Sequence, residues 1–360
     1  MQPMPLRLPR ITTVAMGGDV IGIGIIGYGY WGPNLARCVA ETAGCRLTGI
    51  ADGSPAALAR AAKRHPAAAL HGDWRDLVAD PATDAILIAT PVATHFELAL
   101  AALRANKHVL VEKPITASGA DARILIEEAA RRRRVLMVDH TFVYTSAVQK
   151  IGEIIERGEL GEVFYYDSTR VNLGLFQRDV NVIWDLAVHD LSILDFLLKE
   201  RPLAVSASGA GHIRGSQENM AHLTLFYPSG MVAHLNVNWL APVKVRQTLI
   251  GGSRRMIVYD DLEPSEKVKV YDRGVVVGEG PTAMDTRVSY RTGDMWAPQL
   301  SVKEALLTEM EHFVDCIEKG TAPVTSGESG LRVVETLEHA MVSLQQRGHP
   351  VEITALRRAS

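Results

Sequence analysis

Short, wholly apolar runs alternate with helix-periodic stretches from residue 20 to about residue 138, after which apolar and polar positions alternate instead. The first pattern predicts strands at 20–26, 46–51, 85–89, 108–111 and 135–138, with helices at 56–63, 94–105 and 120–132. Strands that are apolar on both faces and separated by helices belong to a parallel sheet covered on each side, so this part is predicted to be α/β and doubly wound. The second pattern predicts strands at 163–171, 204–211, 221–226, 231–239, 245–250, 255–259 and 267–271. Helices are expected at 147–157 and 180–199, then at 303–318 and 330–347 beyond a loop at 287–298. This is an α+β domain with a large, mainly antiparallel sheet. Helices on one face of such a sheet leave the other free, so a homo-oligomer, dimer or tetramer, is expected through it.

The first strand runs into Gly27-Tyr28-Gly29-Tyr30-Trp31-Gly32 and then into a helix. A G-x-G-x-x-G in that strand-turn-helix setting is the dinucleotide-binding turn of a Rossmann domain. Gly27 would allow the tight turn, Gly29 would let a pyrophosphate approach the backbone, and Gly32 would let the helix pack closely. The free N–H groups opening the helix would face the phosphates. The second strand ends in Asp52, about 20 residues further on, where an acid accepts hydrogen bonds from the adenosine ribose and repels a 2′-phosphate. The cofactor is therefore expected to be NAD rather than NADP, and no arginine follows Asp52 until Arg60. The organisation expected is a disordered tail at 1–19, a Rossmann domain at 20–142, and a substrate and oligomerisation domain at 143–360.

A formal net charge of −3 offers no basic surplus for nucleic acid, and no apolar run approaches the ~20 residues of a membrane span. The run Arg131-Arg132-Arg133-Arg134 reads as a solvated helix end. Cys38, Cys45 and Cys316 lack zinc-site spacing and are expected to be reduced, buried and inert, as in a cytoplasmic protein. The stretch before Asp19 lacks the apolar segment of a secretion signal, and Met16 is an alternative start.

Chemistry is expected at two further strand ends, Thr90-Pro91 with His95 and Glu112-Lys113-Pro114, because ligands of open α/β sheets lie beyond the carboxyl ends of the strands. Pro114 restricts Lys113 to extended backbone and allows a cis peptide bond. In the helix predicted at 180–199, Asp185 and His189 lie four residues apart, opposite an apolar stripe. A carboxylate one turn below an imidazole can orient it as a general base; a solvated polar face is the alternative. Neither H-E-x-x-H nor any other ligand spacing supports a metal, and no G-x-S-x-G supports a nucleophilic serine.

Taken in order, the glycine turn, Asp52, Thr90-Pro91 with His95, Glu112-Lys113-Pro114 and Asp185-x-x-x-His189 resemble the Gfo/Idh/MocA family of NAD(P)-dependent sugar and cyclitol oxidoreductases. The resemblance covers nearly all of the chain after Val20. Residues 27–34, 139–142, 170–174 and 179–186 look like the branch that includes nucleotide-sugar 3-dehydrogenases. One departure is Val143-Tyr144-Thr145, where many relatives carry an arginine, so an anion-binding role there is not carried over. The resemblance implies NAD-dependent oxidation of a secondary sugar hydroxyl to a ketone, at C3 of a nucleotide sugar in amino-sugar biosynthesis. Alternatives are a cyclitol such as an inositol, the 3′-hydroxyl of a nucleotide, or a non-catalytic NAD-binding regulator. Lys113 would contact cofactor ribose and substrate, His189 would take the hydroxyl proton, and Asp185 would orient His189 or hold a substrate hydroxyl. Thr90, Pro91, His95 and Glu112 would line the nicotinamide end. Tyr30 and Trp31 would supply amides and aromatic surface to the cofactor, and Arg170, Asn172, Gln177 and Asn181 would read the substrate.

Overall fold

Six parallel strands form the first sheet of the computed structural model, which describes residues 20–174, 180–215, 217–278 and 287–353. The expected tail and Gln177 lie outside the described residues. The first domain comprises β1 (Ile21–Ile26), α1 (Gly32–Glu41), β2 (Cys45–Ala51), α2 (Pro55–Arg64), β3 (Ala69–His71), α3 (Trp74–Ala79), β4 (Ala85–Ile88), α4 (His95–Arg104), β5 (His108–Glu112), α5 (Gly119–Arg132) and β6 (Leu136–Asp139). The strand order is β3-β2-β1-β4-β5-β6, so the chain reverses direction across the sheet between β1 and β4 and opens a crevice there. Every residue of β1 and β4 is buried, as strands covered on both faces require. Ile23 and Ile25 pack with Leu35 and Val39 of α1 on one face, while Ile26 and Val111 pack with Leu98 and Leu125 on the other. Neither β3 nor α3 was expected from the pattern. β3 is a three-residue edge strand with no buried residue, too short and too exposed to leave an apolar run.

The second domain contains α6 (Ser146–Glu156), β7 (Val163–Leu173), α7 (Val188–Leu197), β8 (Ala204–Ala210), β9 (Met220–Phe226), β10 (Val232–Asn238), β11 (Leu240–Gly252), β12 (Met256–Asp260) and β13 (Val268–Tyr271), followed by β14 (Gly274–Gly278), β15 (Arg287–Arg291), β16 (Met295–Trp296), α8 (Ala305–Lys319), α9 (Gly327–Gln345) and β17 (Val351–Glu352). Nine strands form its main sheet in the order β16-β13-β12-β11-β7-β10-β9-β8-β17. Among the described residues its only parallel pair is β7 with β10. The loop expected at 287–298 instead holds β15, which pairs with β14, and β16, which extends the main sheet. The inward residues Tyr166, Leu223, Leu235 and Ile250 meet α6, α7 and α9 through Ile151, Leu194 and Leu337. His222, His234 and Gln247, on the other face, are exposed.

The final helices return to the first domain. Leu306, Met310 and Phe313 of α8 join the core made by β1 and α1, and Val334 of α9 joins the core on the opposite face. The chain after residue 143 therefore completes both cores. No described helix is long and apolar enough to cross a membrane. The three cysteines are unpaired; Cys38 and Cys316 are buried, whereas Cys45 is partly exposed. Burial pushes the thiols of Cys38 and Cys45 up to about 11, which keeps them protonated and poorly nucleophilic.

Candidate active site

The three glycines of the turn separate by what surrounds them. Gly27 has φ +96, and a Cβ there would lie 2.4 Å from the carbonyl oxygen of Ala89; a Cβ on Gly32 would lie 2.2 Å from that of Gly27. Both are demanded by the fold itself. A Cβ on Gly29 would meet nothing within 4 Å, so this glycine leaves room for a ligand. α1 starts at Gly32, with Pro33 in its first turn, so its unpaired N–H groups lie beside that room.

A pocket opens over the turn, lined by Gly27, Gly29, Asp52, Gly53, Thr90 and Pro91 among others. The Asp52 carboxylate accepts from the Tyr28 N–H at 2.6 Å and from the Ser54 N–H at 2.7 Å, which presents it to the pocket in one orientation. Each oxygen keeps acceptor capacity for a ribose hydroxyl. Arg60 reaches back to the Tyr28 carbonyl at 3.1 Å and ties α2 to the turn. Asp52→Ala should weaken NAD binding about ten- to a hundredfold, the loss of charge-assisted hydrogen bonds worth ~1.5–3 kcal/mol. A fluorescence titration measures this, and an unchanged affinity would refute the role. Tyr28 is fully buried, whereas Tyr30 is 90% exposed and stacks on Trp31 at 6.4 Å. The Trp31 indole N–H donates to Asp139 at 3.1 Å, so Tyr30 offers the open aromatic face.

His95 stands differently from its expected place among the groups lining the cofactor. It is 1% exposed, with one ring nitrogen 2.9 Å from the Pro114 carbonyl oxygen and the other 2.9 Å from that of Thr90. It ties the corner after β4 to the corner after β5 and is shielded from the pocket. Thr90 and Thr94 share a hydroxyl hydrogen bond at 2.7 Å beside it. The Lys113–Pro114 peptide is cis. Burial with Asp139 nearby holds the Glu112 carboxyl well above the usual range.

From the end of β5, Lys113 crosses to the second domain. Its ammonium lies 3.1 Å from the Asp185 carbonyl oxygen and 3.4 Å from the Asp185 carboxylate, whose other oxygen accepts from the Trp239 indole at 3.0 Å. The expected pairing of Asp185 with His189 is absent: no hydrogen bond joins them among the described residues. Residues Ile183–Ala187 form a π turn before α7, which breaks the four-residue register of a regular helix and leaves Asp185 to Lys113 and Trp239. His189 is partly exposed and meets the Phe142 ring at 4.9 Å; its Nδ1 is buried without a hydrogen-bond partner. Burial holds its pKa well below the ordinary histidine value, and the charges of Lys113 and Arg170 push the same way. The imidazole is therefore neutral at neutral pH and able to take a proton.

Two residues expected to read the substrate do other work. Arg170 is buried against Asp190 at 2.8 Å, with its guanidinium 4.4 Å from the centre of the Phe142 ring, and so braces the wall behind His189. Asn181 accepts from the N–H groups of Ile183 and Trp184, both at 3.2 Å, while its amide donates to Glu218 at 2.9 Å. It caps the helical segment that carries Asp185 and His189. Asn181→Ala should cost about 1 kcal/mol of stability, visible as a lowered Tm with KM little changed; an unchanged Tm would refute the capping role. Asn172, at the end of β7, is partly exposed. Trp239 and Phe142 went unrecognised as parts of the site, since only folding brings them there. A further acid, Glu309 of α8, left a legible trace, for it interrupts the apolar stripe of Leu306, Met310 and Phe313.

Residues 21–140 match the model of an oxidoreductase family with an NAD-binding Rossmann fold, and residues 148–258 match the Gfo/Idh/MocA C-terminal domain. The chain is 26% identical over 340 residues to inositol 2-dehydrogenase of Rhizobium meliloti, covering 91% of this chain and 98% of the relative. It is 28% identical over 266 residues to UDP-N-acetylglucosamine 3-dehydrogenase of Acidithiobacillus ferrooxidans, covering 73% and 79%. The solved structure of that 3-dehydrogenase superposes with a TM-score of 0.77 at 25% identity, over 91% of this chain and 98% of the other.

Proposed function

The chain belongs to the Gfo/Idh/MocA family of NAD-dependent oxidoreductases, and on that premise we propose that it oxidises C3 of a nucleotide sugar to a ketone, ahead of amination. The observation that carries the chemistry is that Lys113 of the first domain meets Asp185 of the second, with His189 close enough to feel the Lys113 charge. The preference for a nucleotide sugar rests on the similarity to UDP-N-acetylglucosamine 3-dehydrogenase in sequence and fold. A second reading, oxidation of a free cyclitol, is favoured by the longer match to inositol 2-dehydrogenase.

When bound, NAD supplies the hydride acceptor. His189, neutral and sealed at Nδ1, removes the hydroxyl proton through Nε2. The Lys113 ammonium stabilises the oxygen as negative charge develops on it. Asp185, held by Trp239, keeps that ammonium at the junction of the domains. His95 fixes the two corners on which the nicotinamide end would rest. We assign the remaining cofactor surface to Gly27, Gly29, Gly32, Asp52, Tyr30, Trp31, Thr90, Pro91 and Glu112, the pocket over the turn being lined by Gly27, Gly29, Asp52, Thr90 and Pro91, and the substrate side to Asn172. The exposed sheet face with His222, His234 and Gln247 pairs with a second copy of the chain. Three unpaired cysteines suit the reducing cytoplasm.

The test is reduction of NAD, followed by absorbance, with UDP- and dTDP-sugars, free nucleotides and inositols, an aminotransferase being added to draw off the ketone. Turnover with a nucleotide sugar alone supports the first reading. Turnover with an inositol alone replaces it with the second.

A further inference from the structure

Below the cofactor crevice, three carboxyl groups from three separate elements meet. Glu112 ends β5, Asp139 ends β6 in register with it, and Glu309 enters from the second turn of α8. Their hydrogen-bond donors are unequally shared. Asp139 accepts from the Trp31 indole at 3.1 Å and from the Thr141 hydroxyl at 2.5 Å. Glu309 is 1% exposed, and neither of its oxygens has a partner; Oε1 of Glu112 is likewise buried and unpartnered. Both glutamates lie against Asp139, acceptor facing acceptor, and such contacts become hydrogen bonds only when a proton sits between the oxygens. The donor pattern thus places the negative charge on Asp139 and a proton on each glutamate. The electrostatics agree: burial, followed by the charge of Asp139, holds Glu112 and Glu309 well above the usual carboxylate range. Among the described residues no group of His, Cys, Asp or Glu side chains is arranged to hold a metal ion.

The position of the cluster gives it a task. Trp31, bonded to Asp139, opens α1 at the pyrophosphate turn, and Lys113, next to Glu112, reaches the catalytic junction. A dinucleotide whose pyrophosphate sits at that turn would extend its nicotinamide half toward this junction. Oxidised and reduced cofactor differ there by one positive charge on the nicotinamide ring. We propose that Glu112, Asp139 and Glu309 form a proton-sharing cluster that releases a proton when NAD+ binds and keeps it when NADH binds.

The balance is simple. The free protein with two protonated glutamates and one Asp139 carboxylate takes up NAD+, one glutamate O–H bond breaks, and the proton leaves to solvent by way of Glu112, the partly exposed member of the cluster. The new carboxylate would offset the positive charge that the bound nicotinamide ring brings. Other groups around the cluster do not supply this proton. His140 is buried with both nitrogens unpartnered, and burial pushes its pKa down to about 4, so it is already neutral. Tyr144 is held well above the usual tyrosine value by burial and then by the charge of Glu309. Lys113 opposes the proton on Glu112, and Thr141 donates to Asp139.

Calorimetric titration of the full chain with NAD+ and with NADH, at pH 7 in two buffers of different ionisation enthalpy, counts the protons exchanged. The expected result is release of up to about one proton with NAD+ and close to none with NADH. Glu112→Gln and Glu309→Gln keep size and neutrality; at least one should abolish the release and flatten the pH dependence of the NAD+/NADH affinity ratio. Equal proton counts for the two cofactors in the wild type overturn the proposal, as does undiminished release in both variants. No substrate enters the experiment, so its outcome is independent of the substrate reading.

Discussion

Replacing His189 with alanine should lower kcat by roughly 10²–10⁴-fold, the usual contribution of a positioned general base, while NAD affinity stays within about twofold of wild type. Among the described residues the side chain makes no hydrogen bond to the glycine turn or to Asp52, and its ring packs edge-on against Phe142. Its pKa adds a signature. A base works only when deprotonated, so kcat/KM in the wild type should fall as pH drops through the His189 pKa. That limb should lie below the range of an ordinary histidine, because burial and then the charges of Lys113 and Arg170 disfavour the imidazolium. In the alanine variant this limb should vanish from the residual activity. Steady-state rates across pH, beside a cofactor titration, check both points; full activity in the variant would remove His189 from the mechanism.

Lys113→Met should lower kcat by about 10²–10³-fold, comparable to removing one donor from an oxyanion site. The methionine keeps much of the stem but offers nothing to the developing alkoxide. It also strands the Asp185 carboxylate on Trp239 alone, so a modest fall in Tm is expected with the loss of rate. Lys113→Arg should rescue charge and stability but not rate, since the planar guanidinium does not present the compact ammonium that meets Asp185 at the junction. A Lys113→Arg variant with wild-type kcat would show that charge alone suffices and that placement of the ammonium does not matter.

Much of this architecture could be read along the chain because its causes are local. A glycine at positive φ, a strand ending in an acid, and strands apolar on both faces leave marks within a few residues. Gly27, Gly29, Gly32 and Asp52 stand where such marks put them. Lys113 follows the end of β5, where the rule of parallel sheets places ligand-binding groups, and from there it reaches Asp185. β3 was missed because an exposed three-residue edge needs no apolar run.

Partnerships were a different matter. Spacing along a regular helix paired Asp185 with His189, but the π turn at Ile183–Ala187 breaks that spacing, and an ammonium from the other domain competes for the carboxylate. Arg170 and Asn181 carry side chains suited to binding sugars; the fold gave them to Asp190 and to a helix end, where burial would otherwise have left a charge and two N–H groups unpaired. Glu309 lies 197 residues from Glu112 in sequence, and only the return of α8 to the first domain brings its carboxyl to Asp139 and Glu112. The sequence by itself determined the cofactor turn, the doubly wound sheet and the identity of the chemical groups, because backbone conformation and strand burial follow from neighbouring residues. The tertiary structure decided which group holds which, because a buried charge or donor is satisfied by whatever partner packing brings within reach, however distant in the chain.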